Sequence, residues 1–249
     1  MAPQRQVAIV TGGSRGIGAE IVRLAAARGY DVAFSYVRDE TAARRIESEA
    51  SANGARVIAI RADVADPSAV ATLFATAERE LGPVTALVNN AGITGPIGSF
   101  LDSTIDTWRR VMDVNVIGLV ACAKQAVHRW RERGTTGAMV NISSIAATLG
   151  GPGEYVHYAA SKAAVEAFTI GLAKEMAATG IRINAVSPGT TYTDIHATAG
   201  EPNRPARVVS RIPMQRIAQP TEIAEAVLWL LSPQASYVTG TVLRVAGGL

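Results

Sequence analysis

Short runs of β-branched residues alternate with longer amphipathic stretches along all 249 residues of the chain. The short runs are apolar throughout, which is typical of strands that are buried on both faces of a parallel sheet. They lie at residues 7–10, 31–36, 57–60, 84–89, 138–142, 182–186 and 241–245. The longer stretches, at 19–28, 41–52, 68–80, 104–131 and 155–178, predict helices. Such alternation predicts an α/β fold: a doubly wound parallel sheet of about seven strands with helices on both faces.

One segment departs from this alternation. Residues 194–219 contain Gly200 and three prolines and have little strand character. Ligands of doubly wound sheets bind outside the carboxyl ends of the strands, so an insertion there would act as a substrate lid. A surface excursion without function is the alternative. No linker or internal repeat divides the chain, and we therefore expect a single domain over residues 1–249.

Composition excludes several kinds of function. The one cysteine, Cys122, cannot form an internal disulfide, and its apolar surroundings predict a packed core residue. The three histidines, His128, His157 and His196, have no metal-ligand spacing, so no metal site is expected. No apolar run reaches the roughly 18 residues of a membrane span. The net charge is only +3 and the basic groups are scattered, which argues against nucleic acid and membrane partners. With a single cysteine and no apolar run of that length, the cytoplasm is the expected location.

A glycine-rich loop follows the first predicted strand. It reads Thr11-Gly-Gly-Ser-Arg-Gly-Ile-Gly18 and leads into a helix. Glycines at 12, 16 and 18 allow the backbone to turn sharply and approach a pyrophosphate, which a helix N-terminus stabilises. The spacing differs from the general G-x-G-x-x-G fingerprint, but its place between a strand and a helix predicts a dinucleotide site.

The end of the second strand indicates which dinucleotide binds. An NAD site usually offers a carboxylate there for the ribose 2′-hydroxyl, whereas this chain has Tyr36, with Arg38 two residues on. Arg15 lies inside the glycine loop, and two guanidiniums suit a 2′-phosphate. Asp39 precedes a helical run and is interpreted as an N-cap. The residues therefore favour NADP(H) over NAD(H).

Tyr158 and Lys162 form a pair at i and i+4 of a predicted helix. Side chains at this spacing share a helix face. A neighbouring ammonium favours phenolate and would lower the pKa of the tyrosine toward a value useful for proton transfer. The pair therefore predicts an acid/base device.

These segments resemble the short-chain dehydrogenase/reductase family in order and spacing, from about residue 6 to residue 248. The motifs are Thr11-Gly-x-x-x-Gly-Ile-Gly18, Asn89-Asn-Ala-Gly92, Asn115, Asn141-Ile-Ser-Ser144, Tyr158-x-x-x-Lys162 and Pro188-Gly189. The resemblance implies a Rossmann-type sheet of seven parallel strands in a homo-oligomer, a tetramer or a dimer. It also implies a small carbonyl or alcohol substrate.

The resemblance assigns a catalytic set. Tyr158 would be the acid/base, and Lys162 would bind the nicotinamide ribose and lower the pKa of the tyrosine. Asn115 would hold a water that links Lys162 to solvent. A serine would hydrogen-bond the substrate oxygen; Ser144 is preferred by its distance from the fifth strand, and Ser143 is the alternative, because the family's usual spacing from the tyrosine falls on neither.

The resemblance also assigns the cofactor contacts, with Asp63 and Val64 near the adenine and Thr191 or Thr193 near the nicotinamide amide. The expected contacts are Gly12, Ser14, Arg15, Gly16, Ile17, Gly18, Tyr36, Arg38, Asp63, Val64, Asn90, Ala91, Gly92, Tyr158, Lys162, Pro188, Gly189, Thr191 and Thr193.

Three functions are compatible with these residues. The first is an NADP(H)-dependent oxidoreductase acting on a carbonyl or secondary alcohol. The second is a 3-oxoacyl-(acyl-carrier-protein) reductase, but Thr135 and Thr179 stand where those reductases carry arginines for their acidic partner. The third is a nucleotide-binding sensor without chemistry, which would be expected to lose part of the catalytic set. The expected substrate walls are residues 93–97, 151–155 and 194–214.

Overall fold

The computed structural model describes residues 5–52 and 54–249, so residues 1–4 and 53 of the predicted domain lie outside the described part. Seven parallel strands form one sheet in the order β3-β2-β1-β4-β5-β6-β7. They are β1 (Gln6–Val10), β2 (Tyr30–Tyr36), β3 (Val57–Arg61), β4 (Val84–Asn89), β5 (Ala138–Ile142), β6 (Arg182–Pro188) and β7 (Val242–Val245). The predicted fold class is confirmed, and each predicted strand boundary lies within two residues of the observed one.

Helices connect the strands and cover both faces of the sheet. They are α1 (Gly16–Ala27), α2 (Glu40–Ser51), α3 (Pro67–Leu81), α4 (Ile105–Met112), α5 (Gly118–Glu132), α6 (Ala146–Leu149), α7 (Val156–Met176), α8 (Ile195–Thr198), α9 (Arg204–Val208) and α10 (Pro220–Leu231). The prediction of one continuous α-helix at 104–131 is wrong, because two α-helices lie there. A π-helical segment, Asp113–Ile117, separates α4 from α5 and inserts one wider turn.

Two apolar clusters fill the space between the sheet and its helices. One packs β1, β2 and β5 against α1 and α10, and the other packs the opposite face against α3, α5 and α7. Cys122 lies in the second cluster and is fully buried, as expected, and burial raises the pKa of its thiol to about 12. Helices on both faces leave the carboxyl edge of the sheet as the open side.

The sequence of connections reverses direction between β1 and β4. β1 pairs with β2 on one side and with β4 on the other, and the chain winds outward from both. A crevice opens at such a switch point outside the carboxyl ends of the strands. The loops after β1 and β4 lie there, which places the glycine loop and residues 89–92 at the same edge.

The two ends of the segment between β6 and α10 are paired with each other. Thr191 pairs with Ala218 in an isolated parallel bridge, and Tyr192 N donates to the Ala218 carbonyl at 3.0 Å. Between these points the chain forms α8 and α9 over the carboxyl edge. The segment is joined to the domain across a closed base, and its role as a lid stays a proposal.

Candidate active site

A cleft of about 1140 Å³ lies at the carboxyl edge of the sheet. All nineteen residues that the sequence assigns to the cofactor line it, as do Ser143 and Ser144. Its walls also include parts of the three segments expected to contact substrate, residues 93–96, 151–155 and a run from Asp194 to Ile212. Of the catalytic set, Asn115 alone does not line the cleft, because it lies behind the wall formed by Ile93.

The glycine loop turns closely around the start of α1. Gly12 and Gly16 have positive φ angles of 67° and 53°, which favour glycine. A Cβ on Gly18 would lie 2.2 Å from the Gly12 carbonyl oxygen and 2.5 Å from Asn90 Nδ2. Since α1 begins at Gly16 and its N-cap has no side-chain cap, the first amides of the helix are free to bind a phosphate.

Asn90 holds this loop in place. Its Nδ2 donates to the carbonyl oxygens of Thr11, at 2.9 Å, and Gly12, at 3.0 Å. In return Thr11 Oγ1 accepts from the amides of Asn90 and Ala91, each at 3.0 Å. The ends of β1 and β4 are thereby fixed to each other beneath the cleft.

Two arginines line the cleft at the end formed by the loops after the paired strands β1 and β2, next to the buried Tyr36. Arg15 and Arg38 are both exposed, and neither makes a hydrogen bond or ion pair with any residue the structure describes. Asp39 does not occupy this place as a ribose ligand, since its carboxylate accepts from Ala42 N at 2.8 Å and caps α2. The cleft end is therefore cationic and open to an anionic group.

Asp63, expected near the adenine, is held by Arg110. The Arg110 Nη2 donates to Asp63 Oδ2 at 2.9 Å, and Ala65 N donates to Oδ1 at 3.0 Å. Burial alone would raise the pKa of Asp63, but these bonds hold the pKa below its usual value. The carboxylate is thus ionised and oriented in the cleft wall.

Tyr158 and Lys162 share the cleft wall, but the expected direction of the tyrosine's pKa is wrong in this structure. Burial raises the pKa of Tyr158. Lys162 Nζ donates to the Ile142 carbonyl at 2.7 Å and lies 5.7 Å from the centre of the Tyr158 ring. Burial also lowers the pKa of Lys162 to about 8. Burial is the largest cause of both pKa shifts.

The two candidate serines point in different directions. The Ser144 hydroxyl lies beside the Tyr158 hydroxyl, where its hydrogen bond opposes the rise in the pKa of the phenol. Ser143 Oγ instead donates to Glu166 Oε1 at 2.8 Å and also approaches the Lys162 carbonyl at 3.2 Å. The geometry therefore brings Ser144, and not Ser143, together with the tyrosine.

Asn115 ties the back of the site together. Its carboxamide donates to the Ile93 carbonyl and accepts from the Ile93 amide, each at 2.8 Å. The same Nδ2 donates to Ser161 Oγ at 2.9 Å, and that hydroxyl donates to the Tyr158 carbonyl at 2.7 Å. Asn115 lies in the π-helical segment, and the wider turn accompanies this inward-facing amide.

His157 is buried beneath the cleft. Only 2% of its surface is exposed, and its Nε2 is hydrogen-bonded to the Thr94 carbonyl at 2.8 Å. Its ring packs edge-on against Trp108 with centroids 5.9 Å apart. It holds the loop after β4 and does not reach the cleft.

Sequence reasoning missed a polar cluster above Tyr158. Arg204, from α9, donates to Glu154 and to the Tyr155 hydroxyl, and His196, from α8, lies nearby. Burial and the charge of Arg204 lower the pKa of His196 to about 4. No local pattern signals this cluster, because Arg204 and Glu154 are 50 residues apart in the chain.

Within residues 5–52 and 54–249, no group of three or more His, Cys, Asp or Glu side chains could hold a metal ion. Over the same residues, no helix has the length and apolar character to cross a membrane.

Comparison with known proteins gives matches over the whole chain. Residues 12–249 match the family model described as enoyl-(acyl carrier protein) reductase. The uncharacterized oxidoreductase YgfF of Escherichia coli K12 is 46% identical over 244 residues, which cover 97% of this chain and 99% of that protein. A 3-oxoacyl-(acyl-carrier-protein) reductase of Synechocystis is 38% identical over 246 residues, covering 98% and 96%.

A solved structure is similar to this chain in both fold and sequence. The crystal structure of a variant actinorhodin polyketide ketoreductase with NADPH superposes with a TM-score of 0.92. It shares 36% of its sequence with this chain, and the match covers 100% of this chain and 99% of that one.

Proposed function

This chain is an oxidoreductase of the short-chain dehydrogenase/reductase family, and we propose that it transfers a hydride between NADP(H) and a carbonyl or secondary alcohol substrate. The observation that carries the proposal is the convergence of the Tyr158 and Ser144 hydroxyls at the cleft, beside Lys162. Two hydroxyls of this kind bind one substrate oxygen and stabilise the charge that develops on it.

The cofactor choice rests on the cationic end of the cleft. Arg15 and Arg38 have no partners among the described residues, and no carboxylate stands at the position of Tyr36. The solved ketoreductase with NADPH, 36% identical to this chain, supports the same choice. We assign the free amides of the glycine loop to the pyrophosphate and the two guanidiniums to the 2′-phosphate.

Side chains of the protein would transfer the proton and bind the substrate oxygen. Bound NADPH supplies the hydride. Because burial raises its pKa, Tyr158 carries its proton at neutral pH and can donate it to the oxygen of a ketone. Ser144 would hold the same oxygen with a second hydrogen bond. Burial lowers the pKa of Lys162 to about 8, which is close to neutral pH, so this ammonium can exchange a proton with its surroundings when cofactor and substrate bind.

Replacing Tyr158 by Phe tests this assignment. The variant removes the proton donor and leaves the ring, so NADPH should still bind while kcat for carbonyl reduction falls by roughly 10²–10⁴-fold. NADPH binding is measured by fluorescence, and the reduction rate by NADPH consumption over a panel of ketones. A Tyr158→Phe variant with full activity would refute the proposal.

The serine assignment has an internal control. Ser144→Ala should lower kcat strongly, whereas Ser143→Ala loses its bond to Glu166 and should lower stability with a much smaller effect on kcat. Comparable losses of kcat in both variants would contradict the assignment of Ser144.

A 3-oxoacyl-(acyl-carrier-protein) reductase is the second candidate, and the Synechocystis relative favours it. The positions expected to carry arginines hold Thr135 and Thr179, whose hydroxyls bond the carbonyls of Trp130 and Met176. Faster reduction of acetoacetyl-carrier protein than of a simple diketone would support this candidate. A non-catalytic sensor is disfavoured by the oxidoreductase relatives. The cytoplasmic location and the homo-oligomeric assembly stay predictions.

A further inference from the structure

Arg204 is the first residue of α9, in the segment that covers the carboxyl edge of the sheet. It is only 9% exposed although it carries a full charge. Its Nε and Nη2 donate to Glu154 Oε2 at 3.0 Å and 2.7 Å, and Nη2 also donates to the Tyr155 hydroxyl. Its guanidinium carbon lies 5.0 Å from the centre of the Tyr155 ring. One side chain therefore joins the covering segment to the loop that precedes α7.

Glu154 receives a second arginine from the same segment. Arg207 Nη2 donates to Glu154 Oε1 at 2.6 Å and Arg207 Nε donates to Glu201 Oε1 at 2.7 Å. Burial would raise the pKa of Glu154, but the two arginines hold the pKa below its usual value. Gly98 N donates to the Glu154 carbonyl at 2.8 Å, which fixes the loop after β4 to the same point. Three substrate walls meet at this ion-pair cluster.

The cluster also contacts the proposed acid/base. The rings of Tyr155 and Tyr158 pack edge-on, with centroids 5.4 Å apart and an interplanar angle of 84°. Arg204 is thus connected to Tyr158 through the ring of Tyr155. The positive charge of Arg204 opposes the burial that raises the pKa of Tyr158.

The groups that face Tyr158 come from several elements. Lys162 lies on its own helix and Tyr155 in the loop before it, while Ser144, from the loop after β5, is uncharged. From the covering segment, Arg204 is the charged group, partly offset by Glu154, and His196 is neutral at pH 7 because its pKa is about 4. Arg204 is therefore the cation that the covering segment brings toward the phenol.

We propose that Arg204 is a positioning residue that couples the seating of segment 194–212 to the acid/base Tyr158, holding Tyr155 against the phenol and bringing a positive charge near its hydroxyl. The choice of residue supports this role. A buried ion pair is often no more stable than a well-packed apolar pair of similar size, so closure alone does not require an arginine. A charge is needed where an oxyanion of Tyr158 has to be favoured. This inference rests on the proposed function.

The test separates the effect of the positive charge of Arg204 from the effect of its hydrogen bonds. Arg204→Met keeps an unbranched side chain over the Tyr155 ring and removes its charge, whereas Arg204→Lys keeps the charge and loses the planar guanidinium that binds Glu154 through two nitrogens. Glu154→Gln keeps the guanidinium and removes the carboxylate that offsets it. Arg133→Met, which breaks a bidentate pair with Glu78 far from the cleft, serves as the matched control. Circular dichroism and NADPH fluorescence establish that each variant is folded.

The readout is the pH dependence of kcat for alcohol oxidation, which requires the phenolate. Loss of the positive charge should raise the controlling pKa by about one unit in Arg204→Met. Arg204→Lys should keep the wild-type profile with a higher KM, and Glu154→Gln should move the profile to lower pH. Arg133→Met should change neither kcat nor the profile.

If Arg204 only holds the covering segment in place, KM and the pH profile of kcat should respond differently. If KM rises in Arg204→Met and in Glu154→Gln while both profiles stay at the wild-type pH, the inference is wrong. Tyr158→Phe separates this outcome from failure of the proposed function. If Tyr158→Phe keeps the same pH-dependent limb of kcat, the acid/base assignment of Tyr158 is wrong. If Tyr158→Phe loses that limb but Arg204→Met does not shift its pKa, only the role of Arg204 is wrong.

Discussion

Replacing Arg38 by Met should weaken the preference for NADPH without affecting the use of NADH. Arg38 is exposed on the cleft wall and has no partner among the described residues, so its removal disrupts no internal ion pair. NADPH differs from NADH by the 2′-phosphate alone, and this is the group that we assign to Arg38 and Arg15. The change should therefore appear as a difference between the two coenzymes.

The magnitude follows from exposure. A hydrogen bond to a charged group contributes about 1.5–3 kcal/mol, and the lower limit applies to a solvent-exposed guanidinium. A loss of about 1.5 kcal/mol corresponds to roughly a tenfold lower kcat/KM for NADPH. The double variant Arg15→Met/Arg38→Met should lose about a hundredfold. The preference should also decline with added salt, because the charges are exposed.

The assay is the initial rate with each coenzyme at a fixed concentration of carbonyl substrate. Arg45→Met is the matched control: Arg45 is an exposed arginine on α2, its ion pair with Glu49 is long at 3.9 Å, and it does not line the cleft. An unchanged ratio of NADPH to NADH activity in Arg38→Met would refute the assignment of the cationic cleft end. Equal losses with both coenzymes would refute it as well.

Two further perturbations probe the loop and the covering segment. Gly18→Ala places a Cβ 2.2 Å from the Gly12 carbonyl oxygen, so the glycine loop must shift and NADPH affinity, measured by fluorescence titration, should fall at least about tenfold. Gly171→Ala, where a Cβ meets open space, should keep wild-type affinity. His196 has its pKa lowered to about 4, so its contribution to stability is complete above pH 6.5 and is lost as the pH falls toward 4. Relative to His196→Gln, wild-type stability in urea titrations should fall by up to about 3 kcal/mol over that range, and parallel pH profiles would contradict this.

Residue patterns were sufficient to predict the sheet and the cofactor edge. Each strand is a continuous apolar run, and these runs bury against helices on both faces, so their limits follow from the sequence within two residues. The glycine loop is equally local, because its turn needs particular residues at particular positions. Because parallel strands bring their carboxyl ends to one edge, all nineteen expected cofactor contacts line one cleft.

Features that depend on burial or on distant contacts could not be read in this way. The pKa of Tyr158 was expected to be lowered by Lys162, but desolvation dominates and the ammonium is directed to the Ile142 carbonyl. The π-helical turn at Asp113–Ile117 leaves the helical periodicity almost unchanged, so a pattern does not reveal it. The bond between Arg204 and Glu154 joins segments 50 residues apart, and no spacing rule predicts such a pair.

Isotope transfer shows whether hydride passes from NADPH to the carbonyl carbon in this cleft. The protein is incubated with a ketone and with NADPH that carries deuterium at the transferable position of the nicotinamide, and the alcohol is analysed by mass spectrometry. We expect one deuterium on the carbinol carbon with wild type and with Arg133→Met, and almost none with Tyr158→Phe, although that variant still binds NADPH. Alcohol formed without deuterium, or equal transfer by Tyr158→Phe, would contradict this expectation.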